Sequence, residues 1–192
     1  MSILVKTVVA TLAGTALGLF ATAQSVERGF GFDAVQAGPW TTWPKAGSND
    51  ADPYARAVIS RTGQIPLGSA EGLSLIARTD SAGRPLSPAC DYVISGAIPT
   101  ARFWTVTVTS PEGHIADNAS GRYGFTSSEI VRDWQGGSSI VVSRAARPGN
   151  WLPVAPDRAF FLVLRLYDTP NSATASTLDA SEVPAVVAER CA

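Results

Sequence analysis

Histidine occurs once, lysine twice and cysteine twice in the 192 residues, and charged side chains make up only 16% of the chain. Each scarcity removes a class of function. A zinc site draws on three or four His, Cys or carboxylate ligands, so His114 with the widely separated Cys90 and Cys191 gives no metal set, and no cofactor is implied. The 13 arginines and two lysines, Lys6 and Lys45, balance 16 acidic residues and form no basic block. Nucleic acid is therefore not an expected partner. No G-x-S-x-G elbow is present to seat a nucleophilic serine. His114, in Pro111-Glu112-Gly113-His114, reads as a solvent-facing turn after a strand, not as a general base.

What the chain does have is a long apolar start. From Ile3 to Ala23 the sequence ILVKTVVATLAGTALGLFATA carries one charge, Lys6, and no proline. About 20 such residues cross the hydrocarbon core of a bilayer. The same stretch also fits a signal peptide, because Lys6 supplies a basic n-region and Ala21-Thr22-Ala23 an A-x-A site that would release a chain beginning at Gln24. Residues 1–23 are thus a transmembrane anchor or a signal peptide, and the length of the run leans toward the anchor. Either way the remainder is exported. A retained segment gives an inner-membrane protein facing the periplasm, with the membrane as partner through residues 3–23; a cleaved one gives a periplasmic protein. Cys90 and Cys191 lack C-x-x-C spacing, and in an oxidising compartment their simplest state is a disulfide with each other, the alternative being two buried thiols.

Residues 24–50, which include Gly38-Pro39-Trp40-Thr41-Thr42-Trp43-Pro44, read as an extended lead-in. A single domain occupies 51–192. It opens with a helix signal, Asp52 as N-cap and Pro53 at the first helical position, with Gly63 as a stop. Tyr54, Val58 and Ile59 share one face of that helix. Beyond residue 70 the hydrophobic period is two. Leu73, Leu75 and Ala77 alternate with Ser74, Ile76 and Arg78, and further strands are expected at 91–98, 101–110, 121–126, 138–145, 159–168 and 185–190. Trp104, Val106 and Val108 share the core face of one strand, with Phe103, Thr105 and Thr107 opposite. In another, Phe160, Leu162, Leu164 and Leu166 lie opposite Phe161, Val163, Arg165 and Tyr167. Some seven strands without helical periodicity predict a mainly β fold, an antiparallel sandwich of jelly-roll type with one short helix.

Four segments, in order, resemble the domain of unknown function 1214 family: Asp52-Pro53-Tyr54-Ala55-Arg56-Ala57, then Ala101-Arg102-Phe103-Trp104-Thr105-Val106-Thr107, then Asn150-Trp151-Leu152-Pro153, then Phe161-Leu162-Val163-Leu164-Arg165-Leu166-Tyr167. The resemblance spans about residues 38–191. It implies a jelly-roll-like β domain of exported or envelope proteins in bacteria and carries no reaction with it. In longer members this domain follows another β-rich domain; here a membrane segment stands in that place.

The candidate site residues follow from composition and strand phase. Arg165, in an otherwise apolar strand, needs an ion-pair partner or a place at a cavity mouth. Tyr167 shares its face. Trp134 and Trp151 lie in loop-like contexts, where they line a groove or cover the ends of the sandwich. The leading function is a non-enzymatic envelope module, binding or structural, whose ligand is a glycan, a small apolar molecule or an envelope protein. The alternative is a hydrolase of envelope glycans with two carboxylates drawn from Asp91, Glu112, Asp117, Glu129 and Asp133, which requires two of them in one cleft roughly 5–9.5 Å apart.

Overall fold

The computed structural model describes residues 2–29, 31–62, 65–68, 70–115, 118, 120–170 and 178–191. Its elements are α1 (Ile3–Glu27), β1 (Val35–Ala37), β2 (Trp40–Thr42), α2 (Pro53–Thr62), β3 (Gly72–Ala77), β4 (Cys90–Ser95), β5 (Phe103–Thr109), β6 (Gly124–Thr126), β7 (Ser139–Ser143), β8 (Trp151–Pro153), β9 (Phe161–Tyr167) and β10 (Ala185–Cys191). A six-stranded sheet has the order β1-β2-β3-β9-β5-β6, and a four-stranded sheet the order β10-β4-β7-β8. The mainly β sandwich expected from the two-residue period is the observed fold.

Strand alternation builds the core between the sheets. Leu73, Leu75 and Ala77 of β3, Trp104, Val106 and Val108 of β5, and Leu162, Leu164 and Leu166 of β9 face Tyr92 and Ile94 of β4, Ile140 and Val142 of β7, Leu152 of β8 and Val186 of β10. Leu75, Leu162, Leu164 and Leu166 are all 0% exposed. Each such leucine contributes about 1.5–3 kcal/mol by leaving water. Trp40 belongs to the same core and donates its indole N–H to the Pro184 carbonyl at 2.6 Å.

The strand reading missed three short elements. β1 and β2 form a hairpin within the segment read as a lead-in, and β2 pairs with β3, so that segment completes the large sheet. β8, the third, pairs parallel to β7, the one parallel pair among the described strands. Parallel neighbours ordinarily need a crossover of a dozen or more residues. Residues 144–150 suffice here because β8 is only three residues long. Gly63 and Asp117, read respectively as a helix stop and as part of a turn, lie outside the described residues.

A second, smaller core lies on the far side of the six-stranded sheet. Asp52 starts α2, its Oδ1 accepting the backbone N–H groups of Tyr54 at 2.8 Å and Ala55 at 3.2 Å. Ala55 and Val58 then pack with Trp43 onto Ile76 and Val163, and Val26 of α1 joins them. α1 touches the body only near its end. Its apolar stretch, with a mean hydropathy of 1.9, is 0% buried, and the helix is long and apolar enough to cross a membrane. Such a segment suits a membrane anchor or a signal peptide. Arg78 fastens the exit of this helix to the sheet. Its guanidinium carbon lies 5.5 Å from the Trp43 ring centroid and 5.3 Å from that of Phe161, and burial lowers its pKa. Gly29, at φ +70°, closes over it where a Cβ would fall 2.7 Å from the guanidinium carbon.

Cys90 and Cys191 are joined as expected, across 101 residues of sequence, and sit directly opposite each other in the β4–β10 pair. The bond closes the end of an edge strand.

Candidate ligand-binding face

Among the described residues no α-helix covers the outward side of the four-stranded sheet, since α2 and the end of α1 pack on the other sheet. Pairing register aligns its outward side chains into rows. Val187 of β10 lies opposite Val93 of β4, Val93 opposite Val141 of β7, and Val141 opposite Trp151 of β8. An apolar row therefore crosses all four strands, a span of roughly 14 Å at the usual strand spacing. Val187 is 48% exposed, and the other three are half-buried. Beside the row lie Ser95 and Ser139, paired across β4 and β7, and on its other side Asp91 pairs with Arg190.

The loops at the edges deepen this face into a trough. The first depression, of about 630 Å³, is lined by Ser95, Arg132, Asp133, Ser139, Val141 and Pro148 among others. Buried Asn150 shapes its wall, donating from Nδ2 to the carbonyls of Val131 at 2.8 Å and Ser139 at 2.9 Å while its Oδ1 accepts the Val131 N–H at 2.8 Å. Val141 and Pro148 also line a second depression, which shares Arg147 and Arg190 with a third. The three thus adjoin one another through shared lining residues. Residues 144–150, the short return between β7 and β8, supply Arg144, Arg147 and Pro148 to them.

Polar and aromatic groups are set at both ends. Trp134 rides on a tight turn in which Asp133 Oδ1 accepts the N–H groups of Gln135 at 2.9 Å and Gly137 at 2.7 Å. The indole is 91% exposed, whereas Trp40, Trp43 and Trp104 are all under 8%. Its neighbours Arg132 and Asp133 line the first depression. At the other end, Asp91 Oδ2 accepts from Arg147 and, at 3.1 Å, from Arg190. That shared carboxylate holds two guanidiniums side by side. Arg144, exposed and in no ion pair with a described residue, lines the same depression.

Of the four candidate residues singled out in the sequence, the structure brings two to this face and leaves two elsewhere. Trp151 ends the apolar row, anchored by an indole N–H donated to the Ser143 carbonyl at 3.1 Å, and Trp134 stands exposed on the turn whose Arg132 and Asp133 line the first depression. Arg165 and Tyr167 point from β9 to the outer side of the other sheet. There Arg165 is half-buried between Ser74 and Thr105 and forms no ion pair with a described residue. Tyr167 packs against Phe103 at a ring separation of 5.9 Å. Sequence reading missed Val93, Val141, Val187, Arg144, Arg147 and Arg190. The alternation Asp91, Val93, Ser95 was a usable signal for the first of them.

The four described carboxylates of the five do not converge. Asp91 serves two arginines, Asp133 caps its own turn, and Glu129 Oε2 accepts from the Thr126 hydroxyl at 2.8 Å. Glu112 lines a separate small cavity near the end of α1. Asp117 lies outside the described residues. His114 occupies an exposed turn after β5, its carbonyl accepting the Ser110 N–H at 2.8 Å.

Comparison with known proteins bears on the fold. The chain is similar to the VPA0106 protein of Vibrio parahaemolyticus, with 24% identity and a TM-score of 0.55 over 73% of this chain and 36% of that one. It is also similar, at 15% identity and a TM-score of 0.44, to an uncharacterised protein of Burkholderia cenocepacia, over 95% of this chain and 52% of the other. The chain thus spans between about a third and about half of the length of these solved structures. No curated protein matches it. The family described as "Protein of unknown function (DUF1214)" matches residues 71–171, which run from the start of β3 past the end of β9. With more than half of its residues under that match, the chain belongs to the DUF1214 family.

Proposed function

We propose that this protein is a non-enzymatic binding module displayed outside the cytoplasm, held at the inner membrane by residues 3–23 and facing the periplasm, and that its trough takes a glycan chain. The observation that carries this reading is the solvent-facing row Val187–Val93–Val141–Trp151, with Trp134 exposed on the turn whose Arg132 and Asp133 line the adjoining depression. A sugar ring presents a C–H face bounded by hydroxyls. It needs a flat apolar strip for the first and side-chain donors and acceptors for the second, which Ser95, Ser139, Arg132 and Asp133 supply. A four-residue row is too small for a standard protein–protein interface of 20–30 residues a side. Export is supported by the uncovered apolar helix and by the disulfide. The carboxylates are committed to separate local tasks, so the hydrolytic alternative gains no support from the geometry.

A second reading places the ligand on the other outer face, and it is favoured by the guanidinium of Arg165, in no ion pair with a described residue, on the face that carries the Tyr167–Phe103 ring contact. One experiment separates the two. The full chain in detergent is titrated with chitohexaose, a neutral linear glycan, and followed by tryptophan fluorescence. Trp134→Ala is expected to weaken binding at least tenfold, with Arg165→Ala within twofold of the parent. The reverse pattern moves the site to the other sheet, and loss of binding in neither variant overturns both placements.

A further inference from the structure

We infer that the glycan taken by this trough is anionic, a linear chain whose carboxylate or phosphate groups are read by Arg144, Arg147 and Arg190. The inference rests on the binding face proposed above and specifies its ligand. Four arginines, Arg132, Arg144, Arg147 and Arg190, line the adjoining depressions, against three carboxylates, Asp91, Asp133 and Glu189. The lining is thus positive by one charge in a chain whose formal net charge is −1. Three of the four arginines gather at one end, around Asp91.

The carboxylates leave the arginines available. Asp133 spends Oδ1 on the backbone of its own turn. Asp91 accepts from one nitrogen of Arg147 and one of Arg190 through a single oxygen, Oδ2. Each guanidinium carries five N–H donors in a planar fork, so both keep most of their donors while being held in fixed orientation. Arg144, with no carboxylate partner among the described residues, completes the group. Guanidinium forks bind carboxylate and phosphate oxygens in pairs, and a pre-oriented fork loses less side-chain entropy in doing so. Asp91 is a positioning residue in this arrangement. The apolar row supports the sugar ring, and the arginine end selects rings that carry charge.

The test uses the full chain in detergent with three probes: hexagalacturonate, which carries carboxylates; chitohexaose, which is neutral; and a phosphate-bearing oligosaccharide made by phosphorylating chitohexaose. Hexagalacturonate or the phosphorylated chain is expected to bind at least tenfold tighter than chitohexaose at low salt, and which of the two is tighter identifies the anionic group. That advantage should shrink severalfold in Arg144→Gln, an exposed change that removes no ion pair with a described residue, and should fall with added salt. Arg56→Gln, an equal charge change on α2, should leave it intact; loss of the advantage in this control would mean unspecific attraction and overturn the inference. Chitohexaose binding as tightly as the anionic chains overturns the anionic inference while leaving the proposed binding face standing. No binding of any probe overturns both.

Discussion

The two outward faces of this sandwich have had opposite treatment. On the six-stranded sheet, Ile76 and Val163 are covered by Ala55 and Val58 of α2, with Trp43 and the end of α1 sealing the edge. On the four-stranded sheet, Val93, Val141 and Val187 form a comparable apolar row, and nothing among the described elements lies over it. One face uses its hydrophobic side chains for stability. The other holds them in water at some cost, and a row that spans every strand in register is not scattered surface chance. The difference teaches that one outer face of this sandwich is spent on folding, while the other is left open for the recognition proposed above.

That division can be broken or sharpened in measurable ways, beginning with the largest effect. Cys191→Ser frees β10, the strand that carries Val187, from β4. A closed loop of about 100 residues is worth roughly 4–5 kcal/mol in the chain-entropy model, so the urea midpoint should fall steeply, and a midpoint unchanged from the parent would show that the bridge does not constrain the unfolded chain. Next comes the covered face. Ile76→Ala should cost about 3 kcal/mol, in the range for buried aliphatic truncations, visible as a melting temperature lowered by about 6–12 °C.

A smaller effect belongs to the hairpin that follows β3. Burial alone would raise the pKa of Asp80, but the Arg84 side chain and the N–H groups of Arg84 and Ala82 outweigh it and lower the value below the ordinary 3.8. Its ionised form is thus favoured by folding. The corresponding stability is fully present above pH 3.8 and is lost as pH falls from there through the lower folded value. Asp80→Asn should flatten this acid limb in pH-dependent denaturation; an unchanged limb would assign it to other carboxylates. Smallest of all is the open face. Val187→Ala should shift stability by no more than about 0.5 kcal/mol, and a cost approaching that of Ile76→Ala would mean that the open row is structural after all.

Much of the sandwich was legible in the chain. β5 and β9 alternate over seven residues each, long enough for the two-residue period to show which side is core. β1, β2 and β8 have three residues apiece, too few to display a period, and are not read as strands; β6, equally short, is caught only inside the wider expected range 121–126. The helix cap at Asp52 and the disulfide were readable because each depends on few residues of unmistakable type. The site was harder. Asp91 meets Arg147 and Arg190 from 56 and 99 positions away, and only strand register, a non-local property, brings them together. The same register separated Arg165 from the tryptophans with which the sequence had grouped it. Trp134 and Trp151 look alike in sequence, yet a tight turn projects one and a ladder partner anchors the other.

The junction between α1 and the sandwich has a consequence for reach. Val26 is packed into the smaller core, and Glu27 is paired with Arg61 at 3.4 Å, so no slack chain separates the last apolar turn from the folded body. A domain on a flexible tether sweeps a wide volume and finds distant targets. On the anchored reading proposed above, a domain packed down like this would act as a short post that meets polymers close to the lipid surface over a restricted range of angles.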